Sequence, residues 1–134
     1  MEWKLELVPI PVSDVDRSKA FYTEKMGFKE DLDHSTGERF RVVQLTPPGS
    51  ACSIAIGTGI VATSPGSVQG LQLVVSDIDA ARAGLLNRGV EVSEVQHFDG
   101  GAWRPGGGGD WNSFAFFSDP DGNGWVLQQS PGRG

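Results

Sequence analysis

Val12-Ser13-Asp14-Val15-Asp16 recurs as Val75-Ser76-Asp77-Ile78-Asp79, and the same offset brings Ala20 onto Ala83. Each copy follows an apolar run, Leu5 to Val12 in the first and Leu71 to Val75 in the second. Each is followed by a stretch with helical spacing: Val15, Tyr22 and Met26 share one face, as do Ile78, Ala81, Leu85 and Leu86. Both stretches end near a glycine, Gly27 and Gly89, which suits the left-handed position that closes a helix. Ser13 with Asp16, and Ser76 with Asp79, have the spacing of a capping box, in which side chains satisfy the free amides of a helix start. Asp14 and Asp77 favour the positive end of the helix dipole.

Three strands are expected after each helix. In the first half they are Phe28 to Leu32, Phe40 to Leu45, and Cys52 to Ile56. In the second half they are Val90 to Val95, Ser113 to Ser118, and Gly124 to Gln129. Between the last two lies Asp119-Pro120-Asp121-Gly122-Asn123, whose proline second and glycine fourth fit a type I turn closed by a left-handed residue. The chain therefore reads as strand, helix and three strands, twice: a first module over 1–57, a Gly-, Ser- and Pro-rich linker over 58–69, and a second module over 70–134.

Composition narrows the function classes. The 134 residues suit one domain or two small modules sharing a core. Seventeen acids against eleven bases give a net charge of −6, which repels phosphate backbones and anionic lipid, so neither nucleic acid nor a membrane is an expected partner. The apolar runs are too short to span a bilayer. No basic and apolar leader opens the chain, and a single cysteine, Cys52, fits a reducing cytoplasm. Two histidines, His34 and His97, exclude a His-rich metal cage. Of nineteen glycines, six fall between Gly100 and Gly109, around Trp103. Each glycine loses extra backbone entropy on ordering, so this stretch reads as a mobile loop, either a surface linker or a lid.

The duplicated organisation resembles the vicinal oxygen chelate superfamily, the group of glyoxalase I, bleomycin-resistance proteins and extradiol dioxygenases. The residues that carry the likeness are Pro11 to Tyr22, the matching Val75 to Asp79, and Ser118-Asp119-Pro120-Asp121-Gly122-Asn123. Each motif alone is unspecific; their order and duplication are not, and the likeness spans nearly the whole chain. It implies an α+β fold of two tandem βαβββ modules, forming curved mixed sheets around a shared cavity, and a homodimer. Metal-binding members place a histidine in the first strand of a module and a carboxylate or histidine in the last. The corresponding positions here fall on Leu7, Gly70, Val126 and the region of Ser53 to Ala55, so the resemblance implies no metal and no cofactor at this chain's site.

Alternation along the strands then sorts the cavity wall. Leu7 lies on the face opposite Val8 and Ile10, Gln72 opposite Leu71 and Leu73, and Val126 and Gln128 opposite Trp125 and Leu127. With Ser53 and Gln44, these form an apolar wall carrying amides and one hydroxyl, suited to an organic ligand held by packing and a few hydrogen bonds. Trp103 and Trp111 flank the glycine stretch and suit stacking on a flat ligand, while Trp125, Phe114 and either Phe116 or Phe117 are expected in the core. His97 is either a contact at the cavity mouth or a locally bonded loop residue. His34 reads as a solvated turn residue and Cys52 as a packed strand residue. Two functions stay open. One is a metal-independent binding protein for a partly aromatic or apolar small molecule. The other is a lyase, isomerase or dioxygenase, metal-dependent or metal-free.

Overall fold

The computed structural model describes residues 1–131; the last three residues of the expected second module, 132–134, lie outside the described residues. The chain divides into two compact units. The first comprises Met1–Val68 with Asp119–Asn123; the second comprises Gln69–Ser118 and the chain from Gly124 onward.

The first unit runs β1 (Leu7–Pro9), α1 (Val15–Ala20), a π-helical turn (Phe21–Lys25), β2 (Lys29–Ser35), β3 (Arg41–Thr46) and β4 (Ser53–Thr58). Its sheet has the order β1-β4-β3-β2, parallel between β1 and β4 and antiparallel elsewhere. The alternating branched residues of β3 and β4 turn one face toward α1, and Val43, Leu45 and Ile56 are fully buried there with Ile10 and Tyr22. The π turn keeps Phe21 and Tyr22 adjacent and edge-on, with ring centroids 5.1 Å apart.

Asp14, not Ser13, caps α1: its carboxylate accepts the Arg17 N–H at 3.1 Å. Asp77 caps the helix of the second unit in the same way, accepting the Ala80 N–H at 3.0 Å. The expected capping boxes therefore shift by one residue. A box also needs Glu or Gln at the third helical position, where this chain has Arg17 and Ala80. Ser13 instead donates its hydroxyl to Asp121 at 2.5 Å, and Arg17 reaches the same carboxylate at 3.1 Å.

The Asp119–Asn123 loop is the expected turn, closed by a bond from the Gly122 N–H to the Asp119 carbonyl with Gly122 at φ +95°. Asp119 and Asn123 are buried in the first unit. Tyr22 donates its hydroxyl to Asp119 at 2.8 Å. The Asn123 amide donates to Asp119 at 2.8 Å and to the Pro11 carbonyl at 2.9 Å, and accepts the Val68 N–H at 3.2 Å.

On the α1 side of β2, Asp33 accepts both Arg41 Nε at 3.0 Å and Nη2 at 2.9 Å, together with Lys19 at 2.8 Å. These hydrogen bonds, from Arg41 first and Lys19 second, hold the Asp33 carboxyl well below the usual carboxylate range. A depressed folded-state pKa gives stability that is complete above the unfolded value of about 4 and is lost as pH falls toward the folded one. Asp33→Asn is therefore expected to cost about 1 kcal/mol at pH 7, as for a bidentate surface pair. Urea titrations of both proteins should show the difference shrinking steadily below about pH 4.

The second unit runs β5 (Leu71–Val75), α2 (Ile78–Asn87), β6 (Gln96–Asp99), β7 (Ala102–Pro105), β8 (Phe114–Ser118) and β9 (Gly124–Gln129). Its sheet has the order β5-β9-β8-β6-β7, with β5 and β9 parallel. Both units thus share one plan, and the described residues form two α-helices and nine strands in two mixed sheets. Of the expected apolar face of α2, Ile78 and Leu85 are buried, Ala81 is half-buried, and Leu86 points outward at 43% exposure.

Two expectations are corrected here. Val90 to Val95 is not a strand. Val90 and Val92 are buried, but the segment touches the sheet only through single bonds, such as Ser93 N–H to the Phe116 carbonyl at 2.9 Å. The glycine stretch is a loop only in its second part, over 106–109. Gly100 and Gly101, at φ +61° and +81°, form a two-residue turn pairing Asp99 with Ala102, and Trp103 sits in β7. Left-handed backbone at both turn positions matches the twist of the flanking strands, and glycine adopts it without strain.

Candidate functional site

Within the second unit, the sheet packs one face on α2, and the described residues of that unit place no helix on the other. Register places Phe114 opposite Gln128, Phe116 opposite Val126, and Val126 opposite Gln72, so these side chains share the helix-free face. Across β6 and β7, Phe98 pairs with Trp103. The Trp103 ring stands edge-on to three others: Phe98 at 5.4 Å, Phe114 at 5.4 Å and Phe116 at 5.5 Å between centroids. Such perpendicular contacts align the positive edge of one ring with the negative face of another. Trp103 and Phe98 each remain 47% exposed, so the cluster is a platform with accessible faces.

Phe114 is half-buried in this cluster, which corrects its expected place in the core. Trp125 and Phe117, on the opposite parity, fill the core as expected, stacked at 6.2 Å. A recess of about 350 Å³ opens beside Phe116, between Gly70, Gly124 and Val126.

Amides lie beside the aromatics. Gln72 donates to Gln128 Oε1, and Gln128 Nε2 donates to the Trp111 carbonyl at 2.9 Å. Trp111 is half exposed and has φ +61°, a left-handed backbone that costs a bulky side chain energy. Asn112 holds the neighbouring backbone: its amide exchanges two 2.9 Å bonds with the N–H and C=O of Phe98, imitating a strand partner. Asn112 carried no signal in the sequence, whereas Phe114 and Phe116 could have been assigned to this face by parity with Val126.

His97 alternates with Phe98 and so lies on the other side of β6. Its Nδ1 is 2.8 Å from the Gly106 carbonyl, which can only accept, so Nδ1 carries the proton. His34 is exposed on β2 rather than in a turn, and Cys52 is half-buried just before β4. Gln72, Trp103, Trp111, Val126 and Gln128 are thus brought together; His97 is not.

The helix-free face of the first sheet carries its own polar set. Leu7 pairs with Ser53, Gln44 donates to Ser53 at 3.2 Å, Ser53 and Thr46 hydroxyls are 2.6 Å apart, and Thr46 donates to Asp31. Asp31 sits at the β2 bulge, where the register shifts between Glu30 and Leu32 and re-aims its side chain.

The model of the Glyoxalase/Bleomycin resistance protein/Dioxygenase superfamily matches residues 4–127. The chain belongs to this superfamily. Among solved structures, the chain is similar to TnmS3, an antibiotic binding protein from Streptomyces sp. CB03234. It is 33% identical with a TM-score of 0.78, covering 96% of this chain and 97% of that one. A glyoxalase/bleomycin resistance protein from the same organism is 35% identical with a TM-score of 0.75, covering 94% and 100%. The uncharacterized protein YetH of Bacillus subtilis (strain 168) is 28% identical over 126 residues, 91% of this chain and 94% of that one.

The superfamily's metal positions can now be checked for donors. Leu7 lies on β1, Gly70 precedes β5, Val126 lies on β9, and Ser53 and Ala55 on β4. Leucine, glycine, valine and alanine offer no lone pair, and the Ser53 hydroxyl is engaged with Gln44 and Thr46. Among the described residues, no group of three or more His, Cys, Asp or Glu side chains could hold a metal ion. These residues do not fit a metal.

Proposed function

We propose that this protein binds a partly aromatic or apolar small organic molecule without a metal, the ligand lying on the helix-free face of the second sheet. The observation that carries this reading is the Trp103 cluster: accessible aromatic surface beside a recess and two oriented amides, in a chain similar to an antibiotic binding protein. Aromatic surface supplies most of the affinity for such ligands, and a few placed polar groups supply orientation. Leu7, Gln44 and Ser53 stay in the proposed ligand-contacting set on the first unit's own sheet. We also keep the homodimer in the reading. Its support is that β1 and β5 each leave an unpaired strand edge, which association would cover.

Native mass spectrometry against a library of aromatic antibiotics tests the function directly. Expected is a retained ligand, with the same occupancy before and after chelator treatment. Occupancy that vanishes with chelator would replace this reading with a metal-dependent enzyme. Tryptophan fluorescence should change on titrating the retained compound. Trp103→Ala or Trp111→Ala should weaken binding by about 1–3 kcal/mol, as for a truncated aromatic anchor. Full affinity in both variants would remove these residues from the site.

A further inference from the structure

A single backbone carbonyl fixes what the amides beside the aromatic platform can offer a ligand. The Trp111 carbonyl only accepts, so the Gln128 group 2.9 Å away must be its NH2. That turns Gln128 Oε1 toward Gln72, and an oxygen facing Gln72 requires the Gln72 NH2. The remaining group, Gln72 Oε1, has no donor among the described residues, and Gln72 is exposed. Reversing either amide would set oxygen against oxygen or NH2 against NH2, so the chain has one polarity.

The placement of that oxygen is set by register. Gln72 lies opposite Val126 on β9, and Val126 lies opposite Phe116 on β8, where the Trp103 cluster begins. Two strand spacings separate β5 from β8, so the acceptor sits roughly 10 Å from the platform, across the apolar Val126. A ligand that reaches both must be about two fused or linked rings long.

We propose that Gln72 Oε1 is a specificity-determining acceptor that selects ligands bearing an O–H or N–H donor about two rings from the end packed on Trp103. The inference rests on the small-molecule reading above. Gln128 is the positioning residue: it touches Gln72 and Trp111 and sets the orientation of the first from the second. A ligand carrying only an acceptor at that end meets oxygen with oxygen.

The probes are 4-hydroxybiphenyl and 4-methoxybiphenyl, which share the ring body and differ in whether the oxygen donates. In equilibrium dialysis, the wild-type protein should prefer the hydroxyl compound by about tenfold, the size expected of one solvent-accessible hydrogen bond. Gln72→Leu should reduce the preference to about twofold or less by weakening 4-hydroxybiphenyl binding. Gln128→Leu frees Gln72 to rotate and should have the same effect. A merely structural role for Gln128 would lower both affinities equally. Equal wild-type affinities for the two probes would overturn the acceptor assignment while leaving the small-molecule reading intact. So would failure of both probes alongside retention of a library compound. Failure of both probes and of the whole library would overturn both.

Discussion

Asn123→Ala is expected to destabilise the protein by about 3–4 kcal/mol, because it leaves several buried partners unsatisfied at about 1–3 kcal/mol each. The side chain is completely buried. It donates to the Pro11 carbonyl and to Asp119, and it accepts the Val68 N–H. Water has no access to replace these bonds, and alanine can make none of them. Asp119 also receives the Tyr22 hydroxyl, so its carboxylate loses one of two side-chain donors to the same oxygen. Denaturant unfolding at neutral pH measures the loss. Asn123→Asp should not restore it, since a carboxylate cannot donate to Pro11 and would face the Asp119 carboxylate. A variant within about 1 kcal/mol of wild type would show that the loop is not held by this residue.

Gly57→Ala should cost about 3 kcal/mol or more, at the upper end of overpacking effects. Gly57 lies opposite Val42 in the antiparallel pairing of β4 with β3. A Cβ at this position would run into the Arg41 carbonyl oxygen and stand 2.9 Å from its carbon and 3.1 Å from the Val42 Cα. These are backbone atoms of a paired strand, so no rotamer change relieves the clash. The strands must separate and lose ladder bonds. Gly109→Ala, where an added Cβ meets nothing, is the matched control and should fall within about 0.5 kcal/mol of wild type. Equal thermal midpoints for the two variants would show that β3 and β4 can part without cost.

The architecture was legible because the Val-Ser-Asp repeat marks the strand-to-helix step twice, and because the Asp-Pro-Asp-Gly-Asn turn declares itself locally. The identity of the caps was not. Ser13 is committed to Asp121, 108 residues away, and no local spacing reveals that. The helix-free face was half legible. Parity correctly grouped Gln72, Val126 and Gln128, since alternation is a property of the backbone. Of the aromatic platform only Trp103 is legible, because by composition the glycines between 100 and 109 read as a loop and hide its ring partners. Asp99-Gly100-Gly101-Ala102 is a hairpin signal in its own right, and reading it would have brought Trp103 against Phe98. His97 was named for its chemistry, and its parity against Phe98 places it elsewhere. The left-handed Trp111 and the strand-mimicking Asn112 have no sequence signature, because both arise from how one loop closes.

The Asp119–Asn123 loop has a consequence for the time course of synthesis. The first unit takes its last buried hydrogen bonds from residues translated long after Val68. At ordinary elongation rates the ribosome needs several seconds, on the order of 3–10, to cover that gap. Throughout that interval the nascent first half lacks Asp119 and Asn123, which the Tyr22 hydroxyl and the Pro11 carbonyl meet in the folded chain. Its sheet can form early, but its final stability arrives only when Asn123 clears the exit tunnel. The same dependence makes a fragment ending at Val68 a poor expression target, and it makes late premature stop codons as damaging to the first half of the molecule as to the second.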